Sequence, residues 1–257
     1  MIRPHALITG ATSGFGLEFA RQLVRQGYDF TLIARDKDRL IAVATELEAV
    51  PGTQVTVLAA DLSDDDDTSR VVQHIAQHPV DLLINNAGFG HAGRLGLLSP
   101  DAQDAMVRVH VVAVHRLTQA ALPAMLQRRS GAVIMVSSVA SFLTSAGNVN
   151  YCATKAYARI YAEGLALEAG PHGIYVQALC PGFTHTELHK RAGLPKRAPA
   201  WMWYPVDRVV AASLRALQAR RPTVVLYGWF YRLTTLILRF SPRWMLRLEA
   251  RLYRRDR

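Results

Sequence analysis

Cysteine and long apolar runs are both scarce in this 257-residue chain. Its two cysteines, Cys152 and Cys180, are too few for a disulfide framework, so reduced thiols in an intracellular compartment are expected. No window approaches the roughly 18 unbroken apolar residues that a membrane-spanning helix needs. Residues 1–5 lead into an apolar strand pattern without the apolar region and cleavage site of a secretory signal. These absences predict a cytoplasmic protein.

Acidic residues are scarce in the C-terminal part of the chain. Residues 215–257 contain eleven Lys and Arg residues against two Asp and Glu, within a chain of formal net charge +10. The preceding 214 residues carry nineteen basic and eighteen acidic residues and are nearly neutral. A neutral body argues against nucleic acid as a partner, and the basic segment raises a separate question about the C-terminal tail.

Strand and helix patterns alternate along the chain, and half of its residues are apolar. Short apolar runs that end at glycine or polar residues are typical of buried parallel strands. Strands that alternate with helices predict a single α/β domain with a doubly wound parallel sheet. The predicted strands are 6–9, 30–34, 54–60, 80–84, 131–137 and 174–180, and the predicted helices include 17–26, 101–129 and 151–169.

A glycine-rich turn lies between the first predicted strand and the first predicted helix. The sequence Thr-Gly-Ala-Thr-Ser-Gly-Phe-Gly at residues 9–16 has the spacing G-x-x-x-G-x-G. Glycines let the backbone approach a pyrophosphate, and a helix N-terminus offers free N–H groups and a positive dipole end. The alternative is a plain β–α turn without a ligand. The predicted dinucleotide site comprises Thr9, Gly10, Ser13, Gly14, Phe15 and Gly16.

The residue at the end of the second strand distinguishes two dinucleotide cofactors. An acidic residue there binds the ribose 2′-hydroxyl of NAD, whereas a nearby arginine accommodates the 2′-phosphate of NADP. The strand ends at Ala34 and Arg35 follows, which favours NADP(H) over NAD(H), although Asp36 is adjacent. The alternative is that Arg35 belongs to a solvated helix start. After the third strand, Asp61 and Leu62 are expected beside the adenine. The Asp61 carboxylate would accept a hydrogen bond from the adenine amino group.

Tyr151 and Lys155 are four residues apart on a predicted helix, so they share one face. A phenol titrates near pH ~10 in water, and a neighbouring cation favours the phenolate. Such a tyrosine is able to give or take a proton near neutral pH, as an acid–base catalyst must. The same spacing arises by chance in many helices, so its meaning depends on the other motifs.

These motifs, in this order, resemble the short-chain dehydrogenase/reductase family. The resemblance covers residues 5–228 and rests on the motifs at 9–16, Asp61, Asn-Asn-Ala-Gly at 85–88, Ser138, Tyr151 with Lys155, and Pro-Gly-x-x-x-Thr at 181–186. It implies a single Rossmann-like domain with a seven-stranded parallel sheet, in which residues 223–227 form the last strand. It also implies a homodimer or homotetramer.

The resemblance implies a role for each motif residue. Tyr151 is the general acid/base that protonates a carbonyl oxygen, and Lys155 holds the nicotinamide ribose and lowers the tyrosine pKa. Ser138, thirteen residues before Tyr151, hydrogen-bonds the substrate oxygen, and the neighbouring Ser137 is the competing candidate. The other expected cofactor contacts are Asn86, Ala87 and Gly88 at the ribose and Pro181, Gly182, Phe183 and Thr186 at the carboxamide.

One position departs from the family pattern. Where the family has an asparagine in a sequence like Asn-Val-x-Ala, residues 110–113 read His-Val-Val-Ala. That asparagine supports a water in the proton relay behind the lysine. His110 is a candidate catalytic residue in its place, because an imidazole donates, accepts and titrates near neutrality. The alternative is a packed helix residue without a relay role.

The stretch between the Pro-Gly motif and the next helix, residues 187–204, is rich in apolar and aromatic side chains. Such a lid suits a lipophilic substrate. The predicted pocket residues are Phe142, Leu143, Trp201 and Trp203. The alternative is that the tryptophans pack the lid on the body or form a subunit interface. His185 and His189 lack further ligands at metal-binding spacing, so no metal site is expected.

Residues 229–257 form an extension beyond the predicted body, 1–228, with two amphipathic helical patterns separated by Ser241 and Pro242. The first pattern has an apolar face that includes Trp229, and the second has a stripe of arginines. Basic amphipathic helices with tryptophan fit the surface of an anionic membrane. The alternative is that the apolar faces pack on the core or on a neighbouring subunit.

The combined pattern predicts an NADP(H)-dependent oxidoreductase that interconverts a lipophilic alcohol and its ketone or aldehyde by hydride transfer. The expected partners are a lipophilic small molecule and further copies of the chain, with peripheral membrane contact through the tail as an open alternative. The competing hypothesis is an NADP(H)-binding sensor or scaffold without turnover. Intact Ser138, Tyr151 and Lys155 argue against that hypothesis, and His110 is the one motif residue in its favour.

Overall fold

The computed structural model describes residues 3–185 and 199–239. Within these ranges the strands are β1 (His5–Thr9), β2 (Asp29–Ala34), β3 (Val55–Ala59), β4 (Leu82–Asn85), β5 (Gly131–Val136), β6 (Ile174–Leu179) and β7 (Val224–Val225). They form one parallel sheet in the order β3-β2-β1-β4-β5-β6-β7. The predicted fold class, a doubly wound sheet of seven strands, is confirmed.

Helices cover both faces of the sheet. The α-helices are α1 (Gly14–Val24), α2 (Lys37–Glu48), α3 (Asp65–Gln77), α4 (Pro100–Val107), α5 (Val114–Arg128), α6 (Val149–Ala169), α7 (Val206–Ala219) and α8 (Trp229–Arg239). Short 3₁₀ helices span Leu95–Leu97, Val139–Phe142, Gly170–His172 and Ala200–Met202. A π-helical turn, Arg108–Ala113, separates α4 from α5.

The core lies in two layers because alternate strand residues face opposite sides of a sheet. In β1, Ala6 and Ile8 join the apolar cluster beneath α1, α2 and α7, whereas Leu7 joins the cluster beneath α3, α5 and α6. All residues of β5 and β6 are buried. A parallel sheet that is covered on both faces explains why the strands read as nearly continuous apolar runs.

The strand order reverses at β1, which pairs with β2 on one side and with β4 on the other. In open α/β sheets such a point leaves a crevice outside the carboxyl ends of the strands. The glycine turn follows β1, the Asn-Asn-Ala-Gly run ends β4, and Ser138 follows β5. The fold therefore brings the predicted motifs to one edge of the sheet.

The predicted strands are present with ends that differ by at most two residues from the observed ones. The predicted helical segment 101–129 is present as α4, the π-helical turn Arg108–Ala113 and α5 in direct succession, but the π-helical turn was not predicted. A π-helical turn widens the backbone by one residue and is frequent at functional sites. Here it carries His110, the residue that departs from the family pattern.

Helix α8 packs one face on the body and leaves the other open. Tyr231 and Thr235, which are four residues apart, are buried. The exposed apolar residues of the outer face are Trp229, Leu233, Leu236 and Ile237. The second predicted tail helix lies outside the described residues. Among the helices of residues 3–185 and 199–239, none has the length and apolar character needed to cross a membrane.

Candidate active site

Glycines shape the turn between β1 and α1. Gly10 and Gly14 have φ angles of 66° and 56°, a region that favours glycine. A Cβ atom on Gly16 would overlap the carbonyl oxygen of Gly10, so a larger residue would push α1 away from β1. Ser13 occupies the N-cap without a side-chain cap among the described residues, which leaves the first N–H groups of α1 for a ligand. Phe15 points inward and packs on the core.

Thr9 and Asn86 hold this turn in place. The buried Thr9 hydroxyl accepts from the backbone N–H groups of Asn86 and Ala87, at 2.9 Å each, and donates to the carbonyl of Ile84 at 3.3 Å. The Asn86 amide donates to the carbonyl oxygens of Thr9 and Gly10, at 2.8 and 3.1 Å. These bonds fix the glycine turn against the end of β4, so both side chains act by positioning backbone.

Two arginines flank the glycine turn. Arg35, directly after β2, has a side chain that is 74% exposed and lies 3.8 Å from the Asp61 carboxylate. Arg39 donates to the carbonyl oxygen of Thr12 inside the turn, at 3.1 Å. Arginine is suited to phosphate groups because its planar fork offers several charged donors. Arg39 was not among the predicted site residues.

The two acidic residues near these arginines are partly engaged with the backbone. Asp36 caps α2 by accepting from the N–H of Arg39 at 3.0 Å. Asp61 accepts from the N–H and hydroxyl of Ser63, at 2.9 and 2.7 Å. Leu62 beside it is buried in the core. The Asp36 carboxylate therefore serves its helix, which weakens the argument that it would bind a ribose 2′-hydroxyl.

Ser138 and Tyr151 meet at the carboxyl edge of the sheet. Ser138 caps the 3₁₀ helix Val139–Phe142, and its hydroxyl oxygen accepts from the N–H of Ala140 at 3.1 Å. Tyr151, in the first turn of α6, interacts with the Ser138 side chain. Burial raises the pKa of Tyr151, and the nearby Ser138 hydroxyl partly opposes that rise. One substrate oxygen is therefore able to contact both hydroxyl groups.

Ser137, the competing candidate, has a different role. Its hydroxyl is buried and donates to the backbone carbonyl of Lys155 at 2.7 Å. Consecutive residues in extended backbone point in opposite directions, so only one of the two serines is able to face Tyr151. That serine is Ser138.

Lys155 is buried beside the Tyr151 ring. Its Nζ donates to the carbonyl oxygen of Val136 at 2.9 Å and lies 5.9 Å from the centroid of the tyrosine ring. Burial lowers the pKa of Lys155 to about 8. Burial raises the pKa of Tyr151 in this structure, and the expectation that Lys155 acts in the opposite direction stays a prediction.

His110 uses both of its ring nitrogens. Nε2 accepts from the backbone N–H of Phe89 at 3.1 Å, so Nδ1 carries the proton of the neutral ring and donates to the Thr154 hydroxyl at 3.0 Å. Thr154 in turn donates to the carbonyl oxygen of Tyr151 at 3.1 Å. Burial and the Lys155 cation lower the pKa of His110 well below its ordinary value. The imidazole therefore links the loop after β4 to the helix that carries Tyr151.

Gly88 lets this loop approach the buried lysine. A Cβ atom at Gly88 would lie 2.9 Å from Nε2 of His110 and 3.3 Å from Nζ of Lys155. A larger residue would therefore have to displace the histidine or the lysine. Ala87, just before it, is partly buried against the core.

The loop after β6 is tied to the same edge. The carbonyl oxygen of Pro181 accepts from the N–H of Val139 at 2.9 Å, directly beside Ser138. The hydroxyl of Thr184 donates to the carbonyl of Gly182 at 3.1 Å. Thr186 and His189 lie outside the described residues.

The predicted pocket residues lie in different surroundings. Trp203 is buried and stacks on Phe183 and His185, with ring centroids 5.2 and 5.3 Å apart. Trp201 is exposed and packs edge-on against Phe230 of α8. After Ser138, Phe142 packs against the core beneath the Arg159 guanidinium, and Leu143 is exposed. Of the four predicted pocket residues, Leu143 and Trp201 are therefore the exposed ones.

Metal-ligating residues are dispersed in residues 3–185 and 199–239, where no three His, Cys, Asp or Glu side chains are arranged to hold an ion. Cys152 and Cys180 are free and buried. Burial raises the pKa of Cys180 to about 11, so this thiol is protonated at neutral pH.

Comparison with known proteins identifies the family. The model of the short chain dehydrogenase family matches residues 4–196. The chain belongs to the short-chain dehydrogenase/reductase family. As a member, it is an oxidoreductase that acts on alcohol or keto groups. The matched region ends before α7 and α8.

The relatives of this short-chain dehydrogenase act on different substrates. It is 32% identical over 219 residues to gluconate 5-dehydrogenase of Gluconobacter oxydans, covering 81% of this chain and 85% of that protein. It is 29% identical over 218 residues to very-long-chain 3-oxoacyl-CoA reductase-A of Danio rerio, covering 82% of this chain and 66% of that protein. A short-chain dehydrogenase from Sphingobium yanoikuyae, solved in complex with NADPH, is 35% identical with a TM-score of 0.84, covering 91% and 92% of the two chains.

Three side chains near this dehydrogenase site were not predicted from the sequence. Thr154 lies within the tyrosine–lysine motif but reads as an ordinary helix residue. Arg39 follows Arg35 in a basic stretch that equally suits a solvated helix start. Tyr231 comes 48 residues after Phe183, whose N–H it binds. Only the folded chain brings such distant residues together.

Proposed function

We propose that this short-chain dehydrogenase is an NADPH-dependent reductase of lipophilic ketones or aldehydes, and that it also catalyses the reverse oxidation. The observation that carries the proposal is the placement of the Ser138 hydroxyl near the Tyr151 phenol, with Lys155 beside the tyrosine ring. This arrangement lies at the crevice edge of the sheet, where the glycine turn also ends.

The residues of the crevice fit NADPH. The N-terminus of α1 would offer its N–H groups to a pyrophosphate, and Arg35 and Arg39 would bind the 2′-phosphate. The solved relative bound to NADPH supports this choice over NADH. When bound, the reduced nicotinamide supplies a hydride for the carbonyl carbon. The side chains of this chain supply the proton and the orientation.

Tyr151 donates its hydroxyl proton to the carbonyl oxygen as that oxygen gains negative charge, and it takes the proton back when an alcohol is oxidised. The raised pKa of Tyr151 keeps the phenol protonated at neutral pH, which favours its use as an acid in reduction. The Ser138 hydroxyl donates to the same oxygen and stabilises its developing charge. Lys155 would hold the ribose hydroxyls and, as a cation, stabilise the phenolate.

A lipophilic substrate is supported by the side chains around the site. Leu143, Phe183 and Trp201 are all exposed apolar residues in the segments that follow Ser138 and β6. Apolar lining with a few polar groups is typical of sites for such molecules. The relatives alone do not decide the substrate class, because one is named for gluconate and another for very-long-chain acyl groups.

The proposal is tested with a panel of carbonyl compounds, each assayed with NADPH and with NADH. Long-chain ketones and 3-oxoacyl thioesters should be reduced with NADPH, and keto sugar acids should be poor substrates. Activity with NADH alone would overturn the cofactor assignment, and activity with sugar acids alone would overturn the substrate class. Tight NADPH binding without turnover of any compound would favour the sensor or scaffold alternative.

Peripheral membrane contact is proposed for the outer face of α8. Its exposed Trp229, Leu233, Leu236 and Ile237 lie in the basic segment 215–257, and such a face suits an anionic bilayer. The double variant Leu233→Glu with Leu236→Glu should abolish sedimentation with anionic vesicles. The control variant Ile41→Glu, at an exposed apolar residue of α2, should still sediment with them. Equal sedimentation of both variants would exclude this face. Truncation after Gly228 is less suitable because it also removes the buried Tyr231.

A homo-oligomer is also proposed, and α6 offers a surface for it. Ile160 and Leu167 on this helix are 59% and 83% exposed, and a partner subunit would cover them. Light scattering should give the mass of a dimer or tetramer. Ile160→Asp with Leu167→Asp should reduce that mass, and an unchanged mass would exclude this face as the interface.

A further inference from the structure

Tyr231 of α8 joins two segments that are distant in sequence. Its hydroxyl accepts from the backbone N–H of Phe183 at 3.0 Å and donates to the carbonyl oxygen of Met202 at 2.9 Å. The side chain is only 4% exposed. One phenol therefore fixes the loop after β6 and the 3₁₀ helix Ala200–Met202 at the same time.

The ring of Tyr231 also packs directly on the backbone of Gly182. A Cβ atom at Gly182 would overlap the ring carbons Cε2 and Cζ of Tyr231. Since glycine is the one residue without a Cβ, this contact gives a physical reason for glycine at this position. Gly182 of the Pro-Gly motif and Tyr231 of α8 therefore fit closely against each other.

The loop at 181–183 is held from two sides. The N–H of Val139, next to Ser138, donates to the carbonyl of Pro181, and Tyr231 binds the N–H of Phe183 on the other side. Helix α8 itself packs against the 3₁₀ helix Val139–Phe142. The position of α8 is therefore coupled to the loop and to the segment that carries the Ser138 hydroxyl.

We infer that Tyr231 is a positioning residue for the nicotinamide end of the cofactor site, acting through the backbone of residues 181–183. The inference rests on the proposed NADPH-dependent function, in which this loop holds the carboxamide. Helix α8 lies beyond the region matched by the family model, residues 4–196, so the role depends on the C-terminal part of this particular chain.

The test compares the binding of whole NADPH with that of 2′-phospho-ADP-ribose, which lacks the nicotinamide. Tyr231→Phe keeps the ring and removes both hydroxyl bonds. It should weaken NADPH binding by up to about 25-fold, since each of the two lost bonds costs about a factor of five. Binding of 2′-phospho-ADP-ribose should be unchanged, because that fragment contacts the glycine turn and not the loop after β6. In turnover, the KM for NADPH should rise more than kcat falls.

Tyr227→Phe is the matched control. Tyr227 is also half-buried, with its ring edge-on to Tyr204, and its hydroxyl has no hydrogen bond within residues 3–185 and 199–239. This variant should bind both ligands as the wild type does. Thermal unfolding of each variant, measured alongside, shows that the compared proteins are folded.

A second pair of variants tests the packing of the ring. Gly182→Ala should weaken NADPH binding strongly in the wild-type background, because the new methyl group displaces the Tyr231 ring. In the Tyr231→Ala background the same change should have a smaller effect, because the space is then open. Equal effects in both backgrounds would overturn the inference.

The outcomes separate the inference from the proposed function. Unchanged NADPH binding by Tyr231→Phe, or an equal loss for NADPH and for 2′-phospho-ADP-ribose, would overturn the positioning role and leave the reductase proposal intact. A wild-type protein that binds neither ligand would overturn the proposed function, and the inference with it.

Discussion

Nδ1 of His110 donates to the hydroxyl of Thr154 at 3.0 Å, and this bond connects the π-helical turn to the helix of the candidate acid. The other ring nitrogen accepts from the N–H of Phe89, so the neutral imidazole has no site left for a water or for a transferred proton. The geometry favours a positioning role for His110. Its predicted part in a proton relay stays a prediction.

Substitution of His110 separates these two roles. In His110→Ala, Phe89 N–H and the Thr154 hydroxyl both lose a buried partner, so the free energy of unfolding should fall by about 2–4 kcal/mol. His110→Asn and His110→Gln each keep one of the two bonds and should lose less. The pH dependence of kcat should be the same for wild type, His110→Asn and His110→Gln. A titration that is present only with histidine would establish the relay role instead.

Lys155 should make stability depend on pH. Its pKa is about 8 in the folded protein against an ordinary value of 10.5. A group with a lowered folded pKa contributes full stability above its unfolded pKa and loses it as pH falls towards the folded value. Relative to Lys155→Met, the wild type should therefore lose roughly 3 kcal/mol between pH ~10.5 and pH ~8 and change little below that. Urea unfolding at stepped pH measures the difference, and parallel curves would contradict the prediction.

Arg35 should determine the preference for NADPH. Loss of a hydrogen bond to a charged group costs about 1.5–3 kcal/mol, so Arg35→Ala should weaken NADPH binding by roughly 10- to 100-fold. NADH, which lacks the 2′-phosphate, should bind as before. The control is Arg70→Ala, since Arg70 pairs with Asp67 on α3. Equal losses for NADPH and NADH would mean that Arg35 supports the fold of the site and does not recognise the phosphate.

A pair of histidines at the amino-terminal edge of the sheet should sensitise the fold to acid. Nε2 of His5 and of His74 lie 2.9 and 3.1 Å from the hydroxyl oxygen of the buried Thr31. Burial lowers the pKa of both histidines, so each is neutral in the fold. Their contribution to stability is complete above pH ~6.5 and is lost as pH falls below that value.

The double variant His5→Gln with His74→Gln measures this contribution. Its free energy of unfolding should vary less with pH between about 6.5 and 5 than that of the wild type. The glutamines keep a polar group near Thr31, so the comparison isolates titration from the loss of hydrogen bonding. Identical pH courses for the two proteins would show that these histidines do not titrate on unfolding in this range.

Local patterns in the sequence predict those parts of the fold that depend mainly on residues close to one another in the chain. The apolar runs of β1 and β5 and the glycine turn at residues 9–16 are readable because a buried parallel strand and a close β–α turn each need particular residues. The spacing between Ser138 and Tyr151 is readable only through the family resemblance. The structure then explains it, since the end of β5 and the start of α6 bring the two side chains close enough to interact.

Other features depend on contacts that the sequence does not encode locally. The π-helical turn around His110 has the sequence pattern of an ordinary α-helix, because nothing in residues 108–113 distinguishes a π-helical turn from an α-helical one. The raised pKa of Tyr151 reflects burial in the folded chain, which the motif alone does not reveal. Tyr231 belongs to an amphipathic pattern that equally suits a membrane surface. Only the packing of its inner face shows its contact with the loop after β6.

The proton donor is the centre of this account, and Tyr151→Phe tests it most directly. The matched control is Tyr157→Phe, on the same helix, where the ring stacks on Tyr161 away from the site. With NADPH and a long-chain ketone, kcat of Tyr151→Phe should fall by about 10²- to 10⁴-fold while the Kd for NADPH stays near the wild-type value. Tyr157→Phe should keep the wild-type kcat. Turnover by Tyr151→Phe at the wild-type rate would contradict the proposed mechanism.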